Sequence, residues 1–492
     1  MSAGIIHNFS LRKCKTRRAS LLAILTVGLL LIAGCSVGPK YVKPTTEIPP
    51  AYKELGNWKP AQPSDQAQKG NWWEVFQDPQ LNSLEEKLSV SNQTLRAAQD
   101  RFMEARAALR VSRSEQFPLV SVGSSITHQR QSLDRALANK AAPASFSDFL
   151  VSGGDVSYEA DVWGRVRHIV ESSREQAQAS AADLETIRLT LHAELALDYF
   201  TLRGLDEEKK LFDSNVDAFQ KALDLTENRF QGGVASREDV ELATTQLEQT
   251  RAQDTDITSA RDQFEHAIAV LTGQPASTFN LSAAPMPAVP PMAPPGLPSE
   301  LLERRPDIAG AERRVASANA QIGVARAAYF PLITLGLTGG FESGSFTNWL
   351  SGPSAIWSVG GAALQTVFDA GRRRAISDQA KAAYDETLAN YQQTVLTSFQ
   401  EVEDSLSDLR VLEDEAKTQD AAVAAANRSL EQSTNRYRGG LDTYLTVITA
   451  QSAALANERT AVGLLTRRMT STVLLVKALG GGWNVSQLPA VD

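Results

Sequence analysis

Two periods of hydrophobic and polar residues alternate along this chain, and prolines mark where one gives way to the other. From about Gln80 to Gln116 the apolar residues Leu84, Leu88, Leu95 and Phe102 fall at helical spacing. Pro118 ends that stretch, because the residue before a proline is driven out of the α region. The period then becomes two. Val120, Val122 and Ile126 alternate with Ser121, Gly123, Ser125 and Thr127. After a polar loop, Val156, Tyr158, Ala160 and Val162 alternate with Ser157, Glu159 and Asp161. A hairpin is expected over about 118–163, with one apolar and one polar face. From Gly164 the helical pattern runs without a proline to Phe230, a rod of about 100 Å at 1.5 Å per residue. Phe212, Val216, Phe219 and Leu223 step by four and three, the spacing of packed helices. Gly232-Gly233 closes the rod, since glycine takes the left-handed conformation at a helix end. Ser236-x-x-Asp239 reads as a capping box that opens a return helix.

The whole arrangement then repeats. A shift of about 207 positions superimposes Gly164-Arg165 on Gly371-Arg372, Glu194 on Glu401, Gly232-Gly233 on Gly439-Gly440, and Gly273 on Gly480. Pro331 again ends a helix, and a second hairpin is expected over about 331–368. Its first strand alternates Ile333, Leu335 and Leu337 with Thr334, Gly336 and Thr338; its second, about Ala355 to Phe368, alternates poorly around Gly360-Gly361. Val395, Phe399, Val402, Leu406 and Leu409 form the stripe of the second rod, and Thr443-x-x-Thr446 is a weaker counterpart of the capping box. The expected layout is a signal peptide (1–34), an extended tether (35–70), a first repeat (71–273), a Pro-rich connector outside the main body (274–298), a second repeat (299–483) and a tail (484–492).

Alternation alone equally describes a half-buried hairpin in a soluble sheet. Its duplication, with Phe117, Trp163, Phe330, Trp357 and Phe368 at strand ends, favours a barrel with lipid outside and water inside. Four strands cannot close one, since closure takes about eight or more. Open edges in lipid are prohibitive. If the strands span a membrane, the protein is an oligomer; two copies would supply about eight strands and three about twelve.

Composition narrows the classes. The 492 residues carry 57 acidic and 49 basic side chains, a net charge of -8, which argues against a nucleic-acid partner. The N-terminus has a basic region (Arg12, Lys13, Lys15, Arg17, Arg18), an apolar run from Leu21 to Ala33 too short to span, and then Ile32-Ala33-Gly34-Cys35. That ending is similar to a bacterial lipobox, so the mature chain is expected to begin at an acylated Cys35, and Ser36 in place of aspartate implies sorting to the outer membrane. Cys14 is the other cysteine, so no disulfide or cysteine metal site is available. The five histidines (His7, His128, His168, His192, His266) show no metal spacing, and no nucleophile elbow or phosphate-binding glycine loop appears. No enzyme and no cofactor are expected. Glu401 and Glu403 read as solvated surface acids.

The segment after the connector carries the most specific signal. Leu297-Pro-Ser-Glu-Leu-Leu-Glu-Arg-Arg305-Pro306-Asp307-Ile308, Ala311-Glu312-Arg313-Arg314, Ala320-Gln-Ile322-Gly323-Val-Ala325-Arg326 and Tyr329-Phe330-Pro331, with Cys35-Ser-Val-Gly38-Pro39-Lys-Tyr41 and Asn71-Trp72-Trp73, resemble the outer-membrane factors of tripartite efflux pumps. More narrowly they resemble the NodT-type lipoproteins, relatives of TolC and OprM that partner RND transporters. The likeness spans Cys35 to Trp483. It implies a mainly α fold with membrane β: a homotrimer whose twelve strands form one outer-membrane β-barrel continuous with a periplasmic α-helical barrel. Its partners would be a periplasmic membrane-fusion adaptor, an inner-membrane RND transporter and outer-membrane lipid, and substrate would cross passively.

The resemblance places the two turns, Arg229 to Val240 and Arg436 to Val447, at the periplasmic tip, with Gly232, Gly233, Ser236, Gly439, Gly440 and Thr443 as adaptor-docking candidates. Helix termination accounts for the glycines in any case. Relatives carry acids on the second turn that constrict the tip; here the matching places hold Thr446 and Thr449, which argues against an acidic latch. Arg436 and Tyr437 stand as candidates for bonds holding the tip closed, with Asp239 as a partner, and equally as solvated tip residues. Gly371-Arg372-Arg373-Arg374 reads as a headgroup contact, and Arg304-Arg305-Pro306-Asp307 as a structural helix opening. A protein-secretion duct and a non-conducting coiled-coil scaffold are the alternatives; the scaffold leaves the duplicated hairpins unexplained.

Overall fold

The computed structural model describes residues 36–46, 48–55, 71–130, 132, 134, 145–287, 289–291 and 300–490. The expected signal peptide, Cys35, the later part of the tether and part of the connector lie outside the described residues. The first repeat comprises α1 (Pro79–Ser91), α2 (Gln93–Ser114), β1 (Leu119–Arg130), β2 (Ser145–Glu159), α3 (Arg165–Gln231) and α4 (Arg237–Leu271). The second comprises a helical turn (Leu301–Arg304), α5 (Pro306–Ala327), β3 (Leu332–Ser343), β4 (Ala355–Leu364), α6 (Arg372–Arg438) and α7 (Tyr444–Ala478). Matching helices are equal in length: 22 residues for α2 and α5, 67 for α3 and α6, 35 for α4 and α7. Among the described residues no helix is long and apolar enough to cross a membrane.

The first helical stretch, expected to be continuous from Gln80 to Gln116, is two helices. Asn92 breaks it with extended backbone (φ -69°, ψ 122°). Its side-chain oxygen accepts from the Leu95 amide at 2.9 Å, and its amide nitrogen donates to the Leu271 carbonyl at 2.8 Å. One side chain thus caps the start of α2 and the end of α4. Gly273 makes the approach possible: its φ is +70°, and a Cβ there would lie 2.4 Å from the Ser91 carbonyl oxygen.

The four strands form one antiparallel sheet in sequence order, with bulges between Ser121 and Gly123 and between Ser152 and Gly154. Its register separates the two faces. Val120, Val156, Leu337 and Val359 lie in one cross-strand row, and Ser121, Asp155, Thr338 and Ser358 in the next. Because neighbouring residues point to opposite faces, one face is apolar and the other polar across all four strands. β4 ends at Leu364, short of the expected Phe368. Each long helix springs from a left-handed glycine, Gly164 (φ +85°) or Gly371 (φ +88°). An aspartate satisfies its free amides: Asp161 accepts from the Val166 and Arg167 amides, Asp369 from those of Gly371 and Arg373.

Of four apolar clusters among the described residues, two hold most of the helices. The larger packs the middle of the long helices and includes Trp72, Trp73, Leu195, Phe200, Val395, Leu406 and Val473. The smaller, toward the turns, joins Phe212, Phe219, Leu247, Tyr437, Tyr444 and Leu455. A polar belt lies between. The fully buried Arg203 donates to Asp206 at 2.5 Å, to the Ser282 carbonyl at 2.9 Å and to Gln80 at 2.7 Å. Arg261 donates to Asp206 at 2.7 Å and to the Leu281 carbonyl at 2.5 Å. These bonds correct the picture of a connector outside the main body. Its described part is pinned by two arginines and buries Leu281 and Met286.

The tether also corrects its expectation. Val37 donates its amide to the Trp163 carbonyl at 3.1 Å, Ser36 Oγ lies 2.9 Å from His168 Nε2, and Tyr41 donates to Glu312. Further on, Tyr52 is buried, and the amides of Lys53 and Glu54 donate to Glu403 at 2.7 and 2.9 Å. Glu403 is therefore a clasp and not a solvated acid, and Glu401 accepts from Arg305 at 2.6 Å.

Candidate functional site

At the turn after α3, Gly232 and Gly233 stop the helix, with φ +73° at Gly233 and the Val234 amide donating back to the Arg229 carbonyl at 2.8 Å. Ser236 and Asp239 then form a reciprocal capping box: the Asp239 amide donates to Ser236 Oγ at 3.1 Å, and the Ser236 amide donates to Asp239 Oδ2 at 2.9 Å. The turn after α6 has the same backbone, with φ +73° at Gly440 and the Leu441 amide donating to the Arg436 carbonyl at 2.9 Å. Its polar chemistry differs. Thr443 makes no side-chain cap. Asp442, just before it, accepts from the Thr443 amide at 2.9 Å, from Thr446 Oγ1 at 2.9 Å and from Arg436 Nε at 3.1 Å. These bonds, the Thr446 hydroxyl first, hold the Asp442 carboxyl below the usual carboxylate range.

The two turns meet through Arg229. Its guanidinium lies 4.6 Å over the Tyr437 ring and donates to the Arg438 carbonyl at 3.3 Å. Tyr437 packs 5.1 Å from Tyr444, and burial pushes the Tyr444 phenol up to about 12. The candidate residues are therefore sorted differently from expectation. Arg436 pairs with Asp442. Asp239, expected as a partner for Arg436 or Tyr437, is engaged in its own helix cap. Tyr437 is buried under Arg229, with no hydrogen-bond partner for its hydroxyl among the described residues. Thr449 donates to the Leu445 carbonyl in its own helix at 2.9 Å. The turn does carry a carboxylate, Asp442, one residue before the helix cap and outside the places held by Thr446 and Thr449. Arg229 could have been marked by its register with Arg436, and Asp442 by its place before Thr443, though not the contact each makes.

Beyond the glycines each turn presents an aliphatic side chain to solvent in matching register, Val234 (68% exposed) and Leu441 (74% exposed). At the opposite end, the sheet offers an uncovered apolar face that includes Val120, Val122, Ile126, Trp357 and Val359. β1 pairs only with β2 and β4 only with β3 among the described residues, so both sheet edges are open. Trp163 stacks on Phe330 at 4.8 Å and donates its indole N–H to the Pro331 carbonyl at 2.9 Å, which fixes the join of strand and helix. Among the described residues no cluster of His, Cys, Asp or Glu is arranged to hold a metal.

A family described as outer membrane efflux protein matches residues 84–274 and 297–481, one segment in each repeat. The probable efflux pump outer membrane protein TtgC of Pseudomonas putida is 32% identical over 468 residues, covering 94% of this chain and 96% of its own. The solved outer-membrane channel OprN superimposes with a TM-score of 0.85 at 31% identity, covering 91% of this chain and 100% of its own. The open state of the Neisseria gonorrhoeae MtrE outer membrane channel gives 0.79 at 26%, covering 92% and 99%.

Proposed function

This chain belongs to the outer membrane efflux protein family, and on that premise we propose how its geometry carries out efflux. It is an outer-membrane exit duct that extends into the periplasm. In our reading three copies assemble, β4 of each pairing with β1 of the next, so that twelve strands close one barrel. The carrying observation is the pair of equal 67-residue helices that run from an open-edged, two-faced sheet to a pair of turns. The apolar row at Val120, Val156, Leu337 and Val359 faces lipid; the polar row one residue on lines water.

The periplasmic turns dock a membrane-fusion adaptor, Gly232, Gly233 and Ser236 on one side and Gly439, Gly440 and Thr443 on the other. Val234 and Leu441 supply apolar contact between them. An inner-membrane RND transporter provides the energy, and the duct itself performs no catalysis. Two contacts hold the tip closed in a single protomer: Arg229 on Tyr437, and Arg436 with Thr446 on Asp442. Acylation at Cys35 adds an anchor in the outer membrane.

Deleting the gene tests the reading. Sensitivity to exported small molecules is expected to rise, and the intact chain to restore resistance. Unchanged sensitivity together with loss of a secreted protein would move the duct to protein secretion. Light scattering in detergent should give a protein mass near three protomers, and a folded monomer that washes off the membrane would sink the duct.

A further inference from the structure

Directly below the strands, on the side of the tube that carries the tether, a cavity of about 330 Å³ opens between the tether, α5 and the first turns of α6. Lys40, Arg326 and Lys381 line it together with Asp378 and Asp385. These charges leave one another unused. Among the described residues Lys40, Arg326, Lys381 and Asp385 make no ion pair, and Asp378 has only a 4.0 Å contact to Arg374 outside the groove. Elsewhere the same helices pair such groups closely, as Arg313 with Glu175 at 2.8 Å and Arg373 with Asp369 at 2.6 Å. A groove that holds cations and anions side by side and unpaired suits a ligand carrying both signs.

Its depth says which. Arg326 is the last residue but one of α5, and Asp378 lies six residues into α6, so both sit within about two helical turns of where the helices meet the sheet. Trp163 and Phe330 stack at the level between, as an interface belt would. The groove therefore falls in the headgroup layer of the periplasm-facing leaflet. Above it the exposed side chains of Leu335 and Leu337, on one face of β3, offer an apolar path for acyl chains.

We propose that this groove binds the zwitterionic headgroup of a phospholipid of the phosphatidylethanolamine class. Lys40, Arg326 and Lys381 take its phosphate, and Asp378 and Asp385 take its ammonium. Lys40 lies on the tether, so the bound lipid links the N-terminal strap to both helices of the second repeat. The proposal rests on the outer-membrane placement of the duct and is independent of the tip.

Native mass spectrometry of the detergent-purified full chain tests it, with titration by short-chain phosphatidylethanolamine, short-chain phosphatidylglycerol and inorganic phosphate. The parent is expected to retain phosphatidylethanolamine in preference to phosphatidylglycerol. Arg326→Gln and Lys381→Gln should each weaken both lipids about fivefold. Asp385→Asn should remove the preference while leaving phosphatidylglycerol bound. An unchanged oligomer mass and helical content separate a lost site from a lost fold, and the exposed Asp385 keeps the test open if an arginine variant misfolds. Equal retention of the two lipids by the parent, or undiminished binding by the glutamine variants, overturns the proposal. So does inorganic phosphate that competes as well as the lipid, which would make the groove a free-anion site. A loss of oligomer mass in the parent itself would instead refute the duct.

Discussion

The two repeats share a skeleton and differ in the side chains that lock it. At the end of each return helix a carbonyl in identical register needs a donor, Leu271 in the first repeat and Ala478 in the second. Asn92 supplies one with a neutral amide at 2.8 Å, Arg305 supplies the other with a guanidinium at 3.0 Å. The arginine then goes on to Asp307 at 2.7 Å and to Glu401 at 2.6 Å. At the tip Ser236 and Asp239 cap one turn, while Asp442 gathers Thr443, Thr446 and Arg436 at the other. Backbone demands are met twice by the same glycines, because only a few conformations end a helix. Polar demands are met by whatever donor reaches. The second repeat has in this way acquired charge at both ends, where the first has neutral or self-contained caps.

The largest test of that difference is the pair Arg305→Ala and Asn92→Ala. Removing Arg305 leaves the Ala478 carbonyl unmet and frees Asp307 and the half-exposed Glu401. It is expected to cost about 2–4 kcal/mol, less than a fully buried pair because both acids reach water. Asn92→Ala should cost about 1–3 kcal/mol for a lost cap and an unmet carbonyl. Urea midpoints of the two variants check this, and equal losses would show that the caps are interchangeable.

The next test concerns a packing difference. Gly204 lies inside α3, where a Cβ would fall 2.2 Å from Thr466 Oγ1, whereas its counterpart in α6, Val411, is exposed. Gly204→Val is expected to destabilise by about 1–3 kcal/mol through overpacking. Val411→Gly should lose only about 1 kcal/mol of helix propensity. Thermal unfolding of both separates a tight crossing from a general intolerance of change at this level.

At the tip, Asp442→Asn is expected to raise single-channel conductance in planar bilayers by freeing Arg436 and Thr446. Asp239→Asn, which disturbs only a helix cap, should leave the closed conductance near the parent's. If the two variants conduct alike, Asp442 is not part of a closing contact.

The smallest effect is one of pH. The first repeat buries Glu85 against His192 at 2.5 Å, beneath the stacked Trp73, where the second repeat has Phe399 at the place of His192. Burial lowers the His192 imidazole to about 4 and raises the Glu85 carboxyl. A histidine held neutral in the fold contributes stability that is full above its unfolded value near 6.5 and lost as pH falls toward 4. A glutamic acid held protonated works in reverse, contributing at low pH and losing that contribution as pH rises through the raised value. Glu85→Gln removes the opposing slope, so the variant's urea midpoint should fall more steeply than the parent's between pH 6.5 and about 4. Parallel curves would mean that the pair is ionised at neutral pH.

Much of this was legible because it is local. A left-handed glycine after a long apolar stripe ends a helix wherever it occurs, so Gly233 and Gly440 could be read directly, as could the capping box of Ser236 and Asp239. Alternation gave both hairpins, and register within the sheet then followed from the need to keep Val120, Val156, Leu337 and Val359 on one face. The break at Asn92 was not legible, since asparagine inside a periodic stretch carries no mark of the distant carbonyl it serves. Nor was the partner of Arg436, because a pairing across a turn depends on how tightly the turn closes.

The amino-acid sequence by itself determined the duplication, the length of the rods, the places where they turn and the two faces of the strands, since each follows from short-range sterics and from the period of apolar side chains. Only the tertiary structure decided what each charged side chain meets. Arg203 with the connector, Glu403 with the tether, Arg305 with the end of α7, and Arg229 over Tyr437 join residues far apart in the chain. A charged side chain does not announce its partner; burial selects it, because an unpaired charge taken out of water costs more than the fold can spare.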